Sequence, residues 1–469
     1  MPENLEKAAQ NHIDIESLND GLIAKLPNGL NIYKTLRQPG YPEHEIDTMI
    51  EGTDGYVVPD IPYTGLGYVV EDELLLDACR TFGMLRLQYI PQLAKLNDPD
   101  VDPSKAILAD NFFHTRFLHS LDVLALASAI GSNCKLSKQQ MLALQIGTLT
   151  HDVLTPAGGD TTKLIDREAF DEDAHYHTHL NHPDIQTFCD AHNIDKQAVL
   201  ETVNGSGLLS DIRDFADKLA YTARDLEAFI APVEAFPDSA DALPTRVPLA
   251  EFVHQDGKVT HNLLRVWEHM EVDNGQLVCT HSEDLFNMLN VRALMFKNLY
   301  ANPRARYNES LINSLLTQYL YESGVVKKEA LLDPFSYSSV DSLLKDLLHE
   351  WFGIDSIDIW YNNFHPTYKV FETAQQARAF ENSLLSGGNP FVRFEDASHF
   401  FKPGTHFLVK NDDGNVLPYT EHDPTNAKII DDNGTPTDPI RVYYLDTPPE
   451  LASEELKLFS TWRMGRTNL

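Results

Sequence analysis

Cysteine is scarce and scattered: Cys79, Cys134, Cys189 and Cys279 are the only four in 469 residues, and no two stand at C-x-x-C spacing. That argues against a thiolate zinc knuckle or a disulfide framework and leaves reduced, buried fillers. Long apolar runs are missing too. The most apolar helix candidates are short and interrupted by polar residues, and the start, MPENLEKAAQ, has neither a basic n-region nor an apolar h-region. The expectation is a cytoplasmic chain with no membrane partner. Positive charge is also in short supply, 37 Lys and Arg against 70 Asp and Glu for a net charge of −33. This disfavours stable nucleic-acid binding, which rests on cations neutralising phosphates. A small, metal-chelated anion in a local basic pocket remains compatible with it.

The chain is 42% hydrophobic and 23% charged, enough for one large core or two smaller ones, and it carries no internal repeat or low-complexity tract. Residues 1–65 read as an N-terminal arm, with LRQPGYPEH and YVVPDIPYTGLGY as loops or short strands. Residues 66–330 are helical in texture. ELLLDACRTFGMLRLQYIPQL, FLHSLDVLALASAIG and SKQQMLALQIGTLTHD space their apolar residues by three and four, and Ser137 suits an N-cap. SSVDSLLKDLLHEWFG reads as a further helix stopped by Gly353. Within residues 331–469, FVRF, HFLVK, VLPY, AKII and IRVYYLD read as short strands, NDDGN and DDNG as turns, and SEELKLFSTWRMGR as a closing helix. The fold class expected is mostly α, a helical core followed by a smaller α+β region.

Four short stretches carry the chemistry. They bring His119, then His151 and Asp152 side by side, then Asp217. Two imidazoles and two carboxylates make a mixed N/O set suited to a divalent cation (Mg, Mn, Fe, Co or Zn), with positions left open for water and a phosphate oxygen. Arg116, three residues before His119, shares its helical face. Asp217, Tyr221 and Asp225 form one stripe at i, i+4 and i+8, with Lys218 beside the ligand.

In these segments the sequence resembles the HD-domain phosphohydrolases, and within them the deoxynucleoside-triphosphate triphosphohydrolases. FGMLRLQYIPQL is similar to that family's F-x-R-L-x-x-I-x-Q-L, RFLHSLDV to its R-F-x-H-S-x-G-V, DKLAYTARD to its D-K-x-D-Y-x-x-R-D, and LFNMLNVRALMFKNLY to a later L-x-x-M-x-x-x-R-x-x-x-x-x-x-x-Y segment. The likeness spans about residues 60 to 315 and implies an HD-type helical core. It further implies metal ligation by His119, His151, Asp152 and Asp217, and triphosphate contacts from Arg116, Lys218 and Arg292. Gln92 and Asp225 would hold the sugar 3′-hydroxyl, while Leu93, Tyr221 and Tyr300 would pack the deoxyribose. An effector-regulated homo-oligomer acting on dNTPs is also implied.

The implied reaction is attack of a metal-activated hydroxide on the α-phosphorus, releasing deoxynucleoside and inorganic triphosphate. Its alkoxide leaving group calls for a general acid. Here the sequence departs from part of the family: HDVLTPAGGD puts Thr155 and Asp160 where the animal enzymes have histidines. The candidates for proton transfer are Asp160 and, from FDEDAHYHTHLNH, His175 and His177, with His179 and His182 nearby. Alternatives left open are a phosphohydrolase of nucleoside monophosphates or cyclic nucleotides, a non-catalytic nucleotide sensor, and a nuclease.

Overall fold

The helix Arg116–Asn133 is buried on nearly every side, with Phe117, Leu121, Val123 to Ala127 and Ile130 all in the core. A helix buried all round belongs at the centre of a bundle, and this one is the pillar on which the others lean. The computed structural model describes residues 22–25, 30–34, 56–70, 72–90, 92, 114–166, 168–235, 254–255, 258–259, 263–307, 314–335, 349–350, 366–448 and 454–465. The protein is mostly α with a minor α+β part.

In chain order, a four-stranded antiparallel sheet comes first, β1 (Leu22–Lys25), β2 (Leu30–Lys34), β3 (Tyr56–Ile61) and β4 (Leu66–Val70), in the order β1-β2-β4-β3. Helix α1 (Glu73–Thr81) follows, then the pillar α2 (Arg116–Asn133), α3 (Lys138–Thr150), α4 (Glu172–Leu180), α5 (Pro183–Ala191), α6 (Lys196–Asn204) and the long α7 (Leu208–Ala235). α2 packs against both α3 and α7, and α3 packs against α6. α8 (Ser282–Met295) packs on α7 and passes directly into a π-helical turn, Phe296–Tyr300.

Local chemistry explains the boundaries. Thr115 accepts from the Leu118 N–H at the start of α2, and Ser137 with Gln140 forms a reciprocal capping box at the start of α3. Thr148 and Thr150, buried along α3, donate to the Leu144 and Ile146 carbonyls of the same helix. They therefore bury no unsatisfied hydroxyl.

Two sequence expectations change here. The continuous helix expected over ELLLDACRTFGMLRLQYIPQL is broken: α1 ends at Thr81, Gly83 takes a left-handed φ of +81°, and Met84–Tyr89 is 3-10. A Cβ on Gly83 would sit 2.7 Å from the Pro334 carbonyl oxygen, so the close approach as well as the φ demands glycine. AKII and DDNG, expected as strand and turn, both lie in helix Pro424–Gly434, whose Asp423 cap and N-terminal proline start it cleanly. Apart from residues 349–350, which are helical, the expected helix ending at Gly353 lies outside the described residues, as do the stretch LRQPGYPEH and Leu93.

The C-terminal α+β part contributes a three-stranded sheet of Pro366–Val370, Val392–Asp396 and Ile440–Leu445, with the Ile440 strand in the middle. A second sheet joins hairpin Met270–Asp273/Gln276–Cys279 to hairpin Leu408–Lys410/Val416–Pro418 through parallel pairing of Leu408 with Val278. Helix Pro424–Gly434 lies on α8. One hydrophobic cluster thus runs from Leu30 through the helical bundle to Phe407, Tyr419 and Ile430. No helix among the described residues is long and apolar enough to cross a membrane.

Candidate metal centre

Three helices deliver the ligand candidates. α2 presents His119 one turn from its N-terminus, α3 runs out into His151 and Asp152, and α7 presents Asp217. His119 Nε2 lies 2.9 Å from Asp217 Oδ1, and His151 Nε2 lies 3.8 Å from the same oxygen. Asp152 turns Oδ1 to His151 at 3.6 Å and Oδ2 to His119 at 3.9 Å. The two imidazole rings are 5.5 Å apart, and both are buried.

The donor set fits a divalent cation on a specific observation. His151 Nδ1 donates to the Thr148 carbonyl at 2.7 Å, leaving Nε2 as the lone-pair nitrogen facing the carboxylates. That Nε2 is buried, with no hydrogen-bond partner among the described residues. A buried polar atom without a partner is costly, and an ion between it and the carboxylates satisfies it. Burial would raise the Asp217 carboxyl, but the hydrogen bond from His119 and the nearby His151 imidazole outweigh that and hold it well below the usual range. A second His/Asp group, His269, His281 and Asp284, also meets the spacing for a cation.

Arg116 is clamped beside the cluster. Its Nη1 donates to Asp152 Oδ2 at 2.9 Å and its Nη2 to Asp160 Oδ2 at 2.7 Å. The chain of charges continues: Lys163 bridges Asp160 at 3.0 Å and Glu172 at 2.6 Å, and Thr155 donates to Glu172 at 2.9 Å. Burial would raise the Asp160 carboxyl, yet Arg116 and Lys163 hold it down at about 2, ionised at neutral pH.

Farther along the same stripe of α7, Tyr221 accepts from Arg292 Nε at 2.5 Å, and Arg292 Nη1 donates to the Lys402 carbonyl. The guanidinium lies over the Phe296 ring at 5.0 Å. Lys218 pairs with Asp214 on its own helix. Tyr300, swung round by the π turn, donates to Asp225 Oδ2 at 2.5 Å. Burial pushes the Asp225 carboxyl up to about 7 against the lowering hydrogen bond from Tyr300. Gln92 is buried next to the start of α2, its N–H bonded to the His114 carbonyl, and its side-chain oxygen has no partner among the described residues.

The two sequence candidates from α4 do not join this cluster. His175 donates to the Ala169 carbonyl at 3.1 Å. His177 is exposed, with Asn181 against it. His179 donates to the Phe82 carbonyl from a buried position, and His182 caps α5, so His175, His179 and His182 do not share one helix.

Three residues that frame the site escaped sequence reasoning. Asp122, where the resembling motif has glycine, accepts two hydrogen bonds from Arg224, at 2.8 and 3.1 Å, and one from Tyr68 at 2.9 Å. This buried pair locks α2 to α7 next to Asp225. His114 stands 3.5 Å from Asp225 and 5.9 Å, ring to ring, from His119. Its place two residues before Arg116 was a usable signal. Glu172, one acidic residue in FDEDAHYH, had none.

No protein-family model matches the sequence, and no curated protein matches it. In structure the chain is similar to a phosphohydrolase from Bacteroides thetaiotaomicron, with a TM-score of 0.52 and 15% identity over 81% of this chain and 98% of that one. That likeness is one of fold. A hypothetical protein from Aquifex aeolicus aligns with a TM-score of 0.47 and 19% identity, over 86% of this chain and 99% of that one.

Proposed function

We propose that this protein is a metal-dependent phosphohydrolase that cleaves deoxynucleoside triphosphates to deoxynucleoside and inorganic triphosphate. The observation that carries the reading is the convergence of His119, His151, Asp152 and Asp217 beside the clamped Arg116. The phosphohydrolase name of the Bacteroides protein with the similar fold supports the reaction class. The substrate rests on the resemblance of the four sequence segments.

His119, His151, Asp152 and Asp217 would hold a divalent cation, which when bound would lower the pKa of a water and neutralise charge on the attacked phosphate. The chain's own residues supply orientation. The Thr148 carbonyl fixes the tautomer of His151, and Asp152 divides its oxygens between the cation site and Arg116. Arg116, Lys218 and Arg292 take the triphosphate oxygens, with Asp160 and Asp214 as the counter-charges released when they do. Gln92 Oε1 and the Asp225 carboxyl accept from the 3′-hydroxyl, while Tyr221 and Tyr300 close on the sugar; their rings stand 6.2 Å apart. On this reading Asp160 clamps Arg116, because a carboxyl held at about 2 has no proton to give at neutral pH.

The test is to incubate purified protein with each dNTP and NTP, singly and in pairs, with Mg, Mn, Fe or Co, and to resolve products by ion exchange. Inorganic triphosphate and deoxynucleoside, absent from a His151→Ala, Asp152→Ala variant, are expected. No product from any combination overturns the reading. Activity that appears only when a second nucleotide is added, together with a larger species on size exclusion, is expected of the effector-regulated homo-oligomer included in this proposal.

A further inference from the structure

Away from this centre, three donors converge at the base of a hairpin. His269 closes a 3-10 turn, Arg265–His269, and leads into strand Met270–Asp273; His281 follows strand Gln276–Cys279; Asp284 lies in the first turn of α8. His269 Nε2 lies 3.2 Å and His281 Nδ1 3.0 Å from one and the same oxygen, Asp284 Oδ2, and the rings are 4.9 Å apart. We propose that His269, His281 and Asp284 form a second metal site that binds a first-row transition cation such as zinc.

Three observations point there. First, all three donor atoms lie within 4.8 Å of one another. Zinc bonds of about 2.0–2.1 Å place tetrahedral donors about 3.3 Å apart, close to the 3.2 and 3.0 Å that separate the two nitrogens from Asp284 Oδ2. Second, the backbone holds the donors in place without a metal. The strands pair Met270 with Cys279, and just beyond them the Thr280 N–H donates to the His269 carbonyl at 2.9 Å, with the Thr280 hydroxyl on that same carbonyl at 3.2 Å. A site whose donors sit on rigid elements loses little entropy on binding. Third, among the described residues the ionic partners of Asp284 are these two histidines, so no lysine or arginine has to be displaced. Glu283 and Asp284 in the first turn of α8 offset the positive end of the helix dipole, which would otherwise oppose a cation here.

Two imidazoles and one carboxylate favour the zinc, nickel, copper and cobalt group over calcium or magnesium, which prefer oxygen-only sets. His269 and His281 keep 40% and 50% of their side-chain surface exposed, leaving room for water to complete the coordination. The bound ion would tie the β-hairpin to the start of α8, the helix that carries Arg292.

The experiment strips the full chain of metal with a chelator, dialyses it against micromolar zinc and measures zinc per chain by mass spectrometry. It compares the unaltered protein with His281→Ala, Asp284→Asn and a His151→Ala, Asp217→Ala variant. His281 is exposed and makes no side-chain cap bond, so His281→Ala is expected to fold. The inference expects His281→Ala and Asp284→Asn each to lose one equivalent relative to the unaltered chain. It also expects the His151→Ala, Asp217→Ala variant to retain one that adding His281→Ala removes. Zinc should raise Tm in the unaltered chain more than in His281→Ala. Zinc content unchanged by both His281→Ala and Asp284→Asn overturns it. That result leaves the phosphohydrolase reading untouched, and absence of hydrolysis leaves this site untouched.

Discussion

Asp225 shows how a single buried carboxyl makes the site sensitive to pH. An unfolded aspartate titrates near pH 4, and burial lifts this one to about 7. Between those values the folded state holds a proton that the unfolded state has released. Its contribution to stability therefore falls as pH rises from about 4 to about 7 and is level above that, a loss on the order of 4 kcal/mol. Asp225→Asn keeps an acceptor for Tyr300 and cannot ionise. The difference in urea midpoint between the two proteins should be small at pH 4 and should grow in favour of the variant up to pH 7. A flat difference would remove the titration from Asp225. Arg292 makes a second residue-scale case, because its fork meets both the Tyr221 hydroxyl and the Lys402 carbonyl. Arg292→Lys keeps the charge and loses the fork, so KM for dNTP should rise about tenfold or more with a smaller change in kcat. For proton delivery, Asp160→Asn, His175→Ala and His177→Ala separate the candidates by steady-state kinetics. A clamp on Arg116 shows as a raised KM, a proton donor as a lost kcat. The convergence of His119, His151, Asp152 and Asp217 was legible in the sequence because their residue types and order are themselves the signal. Asp122 and Glu172 were not, since Asp122 acts through Tyr68 and Arg224, 54 and 102 residues away, and Glu172 through a lysine and a threonine that carry no motif.

Among the elements, α3 has the tightest demand, because it ends in His151 and Asp152 and has to lie close to α6. Gly147 makes that approach: a Cβ there would fall 2.6 Å from Thr202 Cγ2 and 2.7 Å from its Cβ. Gly147→Ala should destabilise the fold by about 1–3 kcal/mol through overpacking. It should also lower activity more than stability alone explains, since α3 carries His151 and Asp152 with it. A double variant, Gly147→Ala with Thr202→Ser, relieves the Cγ2 clash, and denaturant midpoints and kcat should both recover in part. Helices such as α2 and α3 were legible because their caps and three-to-four spacing are local. The break at Gly83 was hidden in an apolar pattern that reads straight through it; what imposes it is the carbonyl of Pro334, some 250 residues on in the sequence. AKII misled for the opposite reason: four apolar or long side chains suit a strand as well as a helix, and the Asp423 cap decided it.

Across the whole molecule, the parallel pairing of Leu408 with Val278 and the packing of helix Pro424–Gly434 on α8 join segments more than a hundred residues apart. No local period encodes such pairing. Charge, by contrast, is fully readable: the chain carries a net −33, while Arg116, Lys218 and Arg292 are the cations of the proposed site. A nucleoside triphosphate approaching this protein meets a repulsive field at long range and cations only at contact. Long-range repulsion between exposed charges is screened at the Debye length, about 10 Å at 0.1 M salt and about 30 Å at 0.01 M. The buried ion pairs that shape the pocket are screened much less. Raising monovalent salt from low to moderate strength should therefore increase kcat/KM for dNTP, against the usual trend for an enzyme of an anionic substrate, and should raise Tm as self-repulsion of the folded state is relieved. Higher salt still should reverse the first effect once contacts at the pocket itself are weakened, while Tm stays up. A kcat/KM that falls steadily from the lowest salt would mean that the local cations, and not the net charge, govern the approach.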